Sequence, residues 1–111
     1  MANTQVVKFE AVRTLAFGSI SASYAAVGTV TLYPARLVCI TNNTNGDMYF
    51  SLDGSTNMLF VAKTSFKLFD FNTNRYNSDQ TFVLQTGSQF YVKQVTAPSA
   101  GDVYIEVIYG A

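Results

Sequence analysis

The sequence predicts an all-β protein, an antiparallel sandwich, jelly roll or small barrel, and three observations carry that prediction. Apolar residues recur at every second position in short runs, the period of a half-buried strand. Clusters of Asn, Gly, Asp and Ser separate those runs at the regular spacing of such folds, giving about eight to ten strands. No segment carries a convincing helical period.

Taken in order, Val7, Phe9, Ala11, Leu15 and Phe17 share one parity, interrupted by Arg13, while Lys8, Glu10 and Thr14 take the other. A long strand over residues 6–17, bent or bulged near Arg13, follows from that pattern. Residues 19–24 are small and polar, an edge strand or an extended connection. Residues 27–33 are strand-like and stop at Pro34, which cannot donate to a sheet ladder. In the most informative stretch, Val38 and Ile40 alternate with Leu37 and Cys39, Asn42-Asn43-Thr44-Asn45-Gly46 breaks the run, and Met48, Phe50 and Leu52 resume it. This reads as a hairpin, turned again by Asp53-Gly54-Ser55.

Further strands are expected over 58–61 and 66–71, either side of a short connection around Lys63. Residues 72–79 hold turn formers without an apolar period and predict an exposed loop. Strands over 81–84 and 89–95 are separated by Thr86-Gly87-Ser88. After the break at Ala97-Pro98-Ser99-Ala100-Gly101, Val103, Ile105, Val107 and Tyr109 alternate with Tyr104, Glu106 and Ile108. The expected core takes one parity of the most regular strands: Leu37, Cys39, Phe50, Leu52, Phe90, Val92, Ile105 and Val107.

A chain of 111 residues fits one domain, long enough to bury about two thirds of its unfolded surface without disulfides or metal. Apolar residues make up 49% of it and charged residues only 13%, seven basic against seven acidic. That balance provides no basic field for a phosphate backbone or an anionic membrane, so neither nucleic acid nor membrane is an expected partner. Cys39, the single cysteine, has no disulfide partner within the chain and reads as a small buried hydrophobe. Residues 2–5 are polar and carry no basic head, so no secretory signal is expected, and no window approaches the roughly twenty apolar residues that span a bilayer.

Catalytic templates fail on inventory, because with no His in the chain neither Ser nor Cys has its usual base. Gly18-Ser19 and Gly87-Ser88 are turn pairs, and no phosphate-cradling Gly loop occurs. One Cys without His leaves only carboxylates as metal ligands, a set suited to calcium or magnesium. Asp47 and Asp53 could supply oxygens, but without EF-hand spacing their place in turns is the simpler explanation. No cofactor is expected. The sequon Asn42-Asn43-Thr44 reads as chance within an Asn-rich turn. Among the tyrosines, Tyr49, Tyr91 and Tyr104 read as cross-strand partners on a sheet face, whereas Tyr76, beside Arg75 in a polar loop, is a contact candidate.

Three runs carry a resemblance: Ala35-Arg36-Leu37-Val38-Cys39-Ile40-Thr41-Asn42, Met48-Tyr49-Phe50-Ser51-Leu52-Asp53-Gly54 and Val103-Tyr104-Ile105-Glu106-Val107-Ile108-Tyr109-Gly110. Together they resemble the capsid-stapling, or decoration (cement), proteins of epsilon15-like short-tailed bacteriophages over nearly the whole chain. The resemblance implies a jelly-roll-like β-sandwich on the outer capsid surface of the virion. It further implies clamping of neighbouring major capsid proteins, as a homodimer bridging capsomers, after synthesis in the host cytoplasm. Two other classes fit the same composition: a phage tail or baseplate subunit, and a carbohydrate-binding β-sandwich module, although the latter usually leans on exposed aromatics and Trp is absent.

On the decoration reading, contact falls to the polar N-terminal arm, Ala2, Asn3, Thr4, Gln5, Val6 and Val7, since termini are poorly ordered unless something ties them down. The turn Asn57, Met58, Leu59 and Phe60 and the loop residues Arg75 and Tyr76 complete the candidate interface. The apolar side chains of 58–60 read equally well as a core strand.

Overall fold

Nine strands form in the computed structural model, which describes residues 6–71 and 83–110: β1 (Val7–Phe9), β2 (Arg13–Ala16), β3 (Ala25–Ala26), β4 (Ala35–Thr44), β5 (Met48–Ser51), β6 (Leu59–Val61), β7 (Ser65–Asp70), β8 (Tyr91–Gln94) and β9 (Gly101–Gly110). They build two antiparallel sheets. One has the order β1-β9-β4-β7, with β2 also on β9, and the other the order β3-β8-β5-β6. The sheets pack as a β-sandwich around Val38, Ile40, Met48, Phe50, Val61, Val92, Val103, Ile105 and Val107, all essentially inaccessible. Burying each such side chain contributes roughly 1.5–3 kcal/mol. Among the described residues no helix is long and apolar enough to cross a membrane.

The stretch expected to form a hairpin does not. β4 pairs with β7 and β9 in one sheet, whereas β5 pairs with β6 and β8 in the other. The Asn-rich segment is therefore a corner that carries the chain across the sandwich. Local pattern specifies two strands and a reversal, but not whether the reversal stays within a sheet. Polar chemistry at the corner holds the crossing. The fully buried Asn42 donates from Nδ2 to Gly46 O (2.9 Å) and Val61 O (3.0 Å), while its Oδ1 accepts from Thr44 N (3.1 Å) and Thr44 Oγ1 (2.6 Å). A Cβ on Gly46 would stand 2.3 Å from Thr96 O, so only glycine lets the corner lie against the segment before β9. Buried in this way, Asn42 offers a glycan no attachment point in the folded chain.

The inward parity of β4 also differs from expectation. Val38, Ile40, Asn42 and Thr44 face the core, and Leu37 and Cys39 are half-buried on the opposite face. Both parities are apolar, so period alone could not choose between them, and a polar Asn42 weighed against the correct one. Phe50, Phe90, Val92, Ile105 and Val107 are buried as expected, and Leu52 is partly buried against the core.

The strand over 6–17 splits at a bulge near Arg13. Phe9 pairs with Ile108 but Arg13 with Ile105, so three residues of one strand oppose two of β9. One extra residue reverses the parity: Phe9 faces out and Arg13 faces in. Arg13 Nε donates to Thr29 O (2.7 Å) and its Nη2 to Val30 O (2.9 Å) and to Glu10 Oε1 (2.7 Å). Glu10 in turn accepts from the amides of Leu32 (3.1 Å) and Tyr33 (3.0 Å). These bonds hold residues 27–33 as an irregular segment rather than the expected strand. Gly28 sits there at φ 66°, and a Cβ would meet Arg13 Cγ at 2.7 Å. Residues 19–24 prove to be a connection that follows a short 3-10 turn at Phe17–Ser19. Of the strand expected over 81–84, Leu84 makes a single bridge to Ala35. Residues 81 and 82 and the expected loop 72–79 lie outside the described residues.

Candidate interaction surface

The candidate contact residues divide among different parts of the sandwich. Ala2, Asn3, Thr4, Gln5, Arg75 and Tyr76 lie outside the described residues. Val6 is exposed, and Val7 begins β1, opposite Gly110, so the arm is tied into the sheet by residue 7. Met58 and Leu59 line a wholly apolar pocket of about 170 Å³ between the sheets, together with Leu52, Phe69, Phe71 and Leu84. Phe60, on the opposite parity of β6, is exposed on the outer face of the four-stranded sheet. The core-strand reading of 58–60 thus holds for Leu59, while Met58 and Phe60 remain 46% and 42% exposed.

That outer face is aromatic. Lys93, Tyr49 and Phe60 occupy one cross-strand row, with the Tyr49 and Phe60 rings edge to face at 5.9 Å. Lys93 Nζ lies 5.0 Å from the Tyr24 ring centroid and 5.9 Å from that of Tyr49, within cation–π range of both. The Tyr24 hydroxyl donates to Asn57 Oδ1 at 2.6 Å, so Asn57 helps fix the face. Burial, followed by the Asp53 charge and Tyr49, pushes the Tyr24 phenol above its ordinary pKa. Tyr49 and Tyr104 are cross-strand residues as expected, and the Tyr91 ring packs over Gly54.

The opposite outer face, on the five-stranded sheet, carries several large apolar side chains, with Glu106 and Thr41 among them. Phe9, Ile108 and Leu37 form one row across β1, β9 and β4, Leu68 stands opposite Cys39, and Phe66 stands opposite Thr41, which pairs on its other side with Tyr104. Phe9 is 73% exposed, Phe66 65% and Leu68 56%. Monomeric proteins rarely leave such residues contiguous unless another surface covers them. None of these positions was expected as a contact residue from the sequence, and Leu37 and Cys39 were expected in the core, yet a signal existed. β4 and β7 carry apolar side chains on both parities, more than a two-layer antiparallel sandwich can bury on one face.

Cys39 belongs to this face, with Sγ 3.9 Å from Thr41 Oγ1, and is not the core thiol that its apolar surroundings suggested. Native protein should therefore be labelled stoichiometrically by a small thiol reagent without denaturant, measured by mass spectrometry. Labelling that waits for unfolding would return the residue to the core.

Asp47 and Asp53 serve local structure. Asp53 Oδ1 accepts from Ser55 N and Thr56 N (2.8 Å each) and from Ser51 Oγ (2.7 Å). The Thr56 and Ser55 amides, then the Ser51 hydroxyl, hold its carboxyl well below the usual range. Asp47 Oδ1 accepts from Lys63 N at 2.9 Å. Among the described residues no group of three or more His, Cys, Asp or Glu side chains is placed to hold a metal. No protein-family model, curated protein or solved structure gives a significant match to this chain.

Proposed function

We propose that this chain is a non-enzymatic structural protein of a virion, which decorates the outer surface of a phage head and staples neighbouring major capsid proteins. One observation supports the reading above the others: both outward sheet faces of the sandwich carry apolar or aromatic side chains. The Phe9–Ile108–Leu37 row and Phe66 and Leu68 lie on one, and Tyr49 and Phe60 on the other. A monomer working alone in water gains nothing from two such faces. A bridge between two partners needs both, and simultaneous contacts multiply modest affinities.

The zero net charge makes attachment insensitive to salt, because few counterions are released and little long-range attraction is screened. Purified particles washed in about 1 M salt, where the Debye length is roughly 3 Å, should keep the protein at nearly full occupancy. Particles lacking it should rupture at lower temperature, since a protein that binds only the assembled lattice stabilises it by mass action. Release by salt alone, or an unchanged rupture temperature, would contradict stapling.

The aromatic face with Lys93 and Asn57 supports a second reading, a carbohydrate-binding module, because exposed rings flanked by polar groups are what sugar rings stack on. Glycan-array binding by the isolated protein, abolished by Tyr49→Ala, would favour it. Finding the chain in purified tails and not in heads would favour a tail or baseplate subunit.

A further inference from the structure

The free edge of β7 is an open place in the five-stranded sheet, and its hydrogen-bonding phase can be read from the ladder. Phe71 N donates to Arg36 O at 3.0 Å, which makes Arg36 and Phe71 a hydrogen-bonded pair. In an antiparallel ladder such pairs alternate with non-bonded ones. Val38/Phe69, Ile40/Lys67 and Asn42/Ser65 are then the bonded pairs along the register, and Cys39/Leu68 and Thr41/Phe66 the non-bonded ones. The backbone N–H and C=O groups of Phe66 and Leu68 therefore point away from β4, to the outer edge of the sheet. Among the described residues β7 is terminal in the strand order, and neither Phe66 nor Leu68 has a further hydrogen-bond partner there.

We infer that this edge receives an extended segment of the major capsid protein as an added strand, an inference that rests on the decoration reading. The backbone groups name the chemistry of the occupant, because a row of donors and acceptors at strand spacing is matched only by another extended backbone. Side chains flanking the edge refine it. Phe66 and Leu68 project on the outer face, 65% and 56% exposed, so the segment places apolar residues on that side. Lys67 projects on the other parity, exposed and without an ion pair among the described residues, so the segment carries an acidic residue there. The added strand would also extend the apolar row that Leu68 and Cys39 begin, and thus continue the outer face already proposed as a contact surface.

Two proline variants test the edge itself. Leu68→Pro removes an N–H that faces out and should leave the melting temperature nearly unchanged, since proline is tolerated on the open side of an edge strand. Lys67→Pro removes an N–H bonded to β4 and should lower it sharply. Equal destabilisation by both would overturn the assignment of the edge. For the docking, amide exchange is compared between the isolated protein and particles purified from infected cells. The Phe66 and Leu68 amides should exchange fast in isolation and be protected on the particle. Attachment of Leu68→Pro should weaken about tenfold, and that of the fold-preserving Phe66→Thr should also weaken.

If the chain is on heads but these amides exchange as fast as in isolation, strand addition is wrong and decoration stands. If the chain is missing from heads, decoration fails and this inference with it. Protection that grows with the concentration of isolated protein would assign the edge to a second copy of the chain and overturn the capsid segment as its occupant.

Discussion

Arg13→Met should lower the unfolding free energy by about 3–5 kcal/mol, the usual cost of removing one partner from a buried ion pair. The Arg13 and Glu10 side chains are only 5% and 2% exposed, and they meet at 2.7 Å. Removing the guanidinium leaves the Glu10 carboxylate buried with only the Leu32 and Tyr33 amides for support. It also orphans Thr29 O and Val30 O. Chemical denaturation of the wild type and variant would measure the loss. The double variant Glu10→Gln/Arg13→Met should recover part of it, since a neutral amide leaves no buried charge.

The same pair sets an acid limit on stability. Burial raises the Glu10 pKa, but the Arg13 hydrogen bond, the Leu32 and Tyr33 amides and the Arg13 charge together bring it below 4.5. A carboxylate whose folded pKa is depressed stabilises the fold above its unfolded pKa, and that contribution is lost as pH falls through the folded value. Wild-type stability should therefore decline below about pH 4.5. In Arg13→Met the burial effect is less opposed and the folded pKa rises, so the gap between variant and wild type should narrow on acidification. A gap constant from pH 7 to 3 would show that the pair is not electrostatically coupled.

The second large effect is expected at the corner between the sheets. Asn42→Leu keeps the approximate volume but removes a donor to Gly46 O and Val61 O and an acceptor for Thr44 N and Oγ1. Unsatisfied buried groups cost about 1–3 kcal/mol each, and partial relaxation of the corner leaves a net loss of about 3 kcal/mol. For a chain of this length, that lowers the melting temperature on the order of 10 °C. Asn42→Asp should be equally poor, because it substitutes a buried charge for the donor. A leucine variant as stable as the wild type would mean that the network contributes specificity of the crossing and no net stability.

Alternation, turn residues and composition were enough to specify the all-β class and the position of most strands. Val103, Ile105 and Val107 face the core because a two-residue period bounded by Gly101 and Gly110 admits one arrangement, and polar Glu106 marks the outer side. The bulge near Arg13 was also legible, as a charged residue interrupting an apolar parity. Only the tertiary structure decided how the strands are shared between sheets. β4 and β5 are neighbours in sequence and look like a hairpin, yet their partners β7, β8 and β9 lie far along the chain. Local pattern is blind to such long-range pairing.

The choice of inward parity in β4 and the outward placement of Cys39, Phe66 and Leu68 were decided in the same way. Where both faces of a strand are apolar, burial depends on which face meets the second sheet, and a local hydrophobic period does not contain that information. The candidate surfaces followed the same division. Asn57 and Phe60 were legible beside a turn, whereas the β7 edge exists only because, among the described residues, β7 pairs on one side alone, with β4.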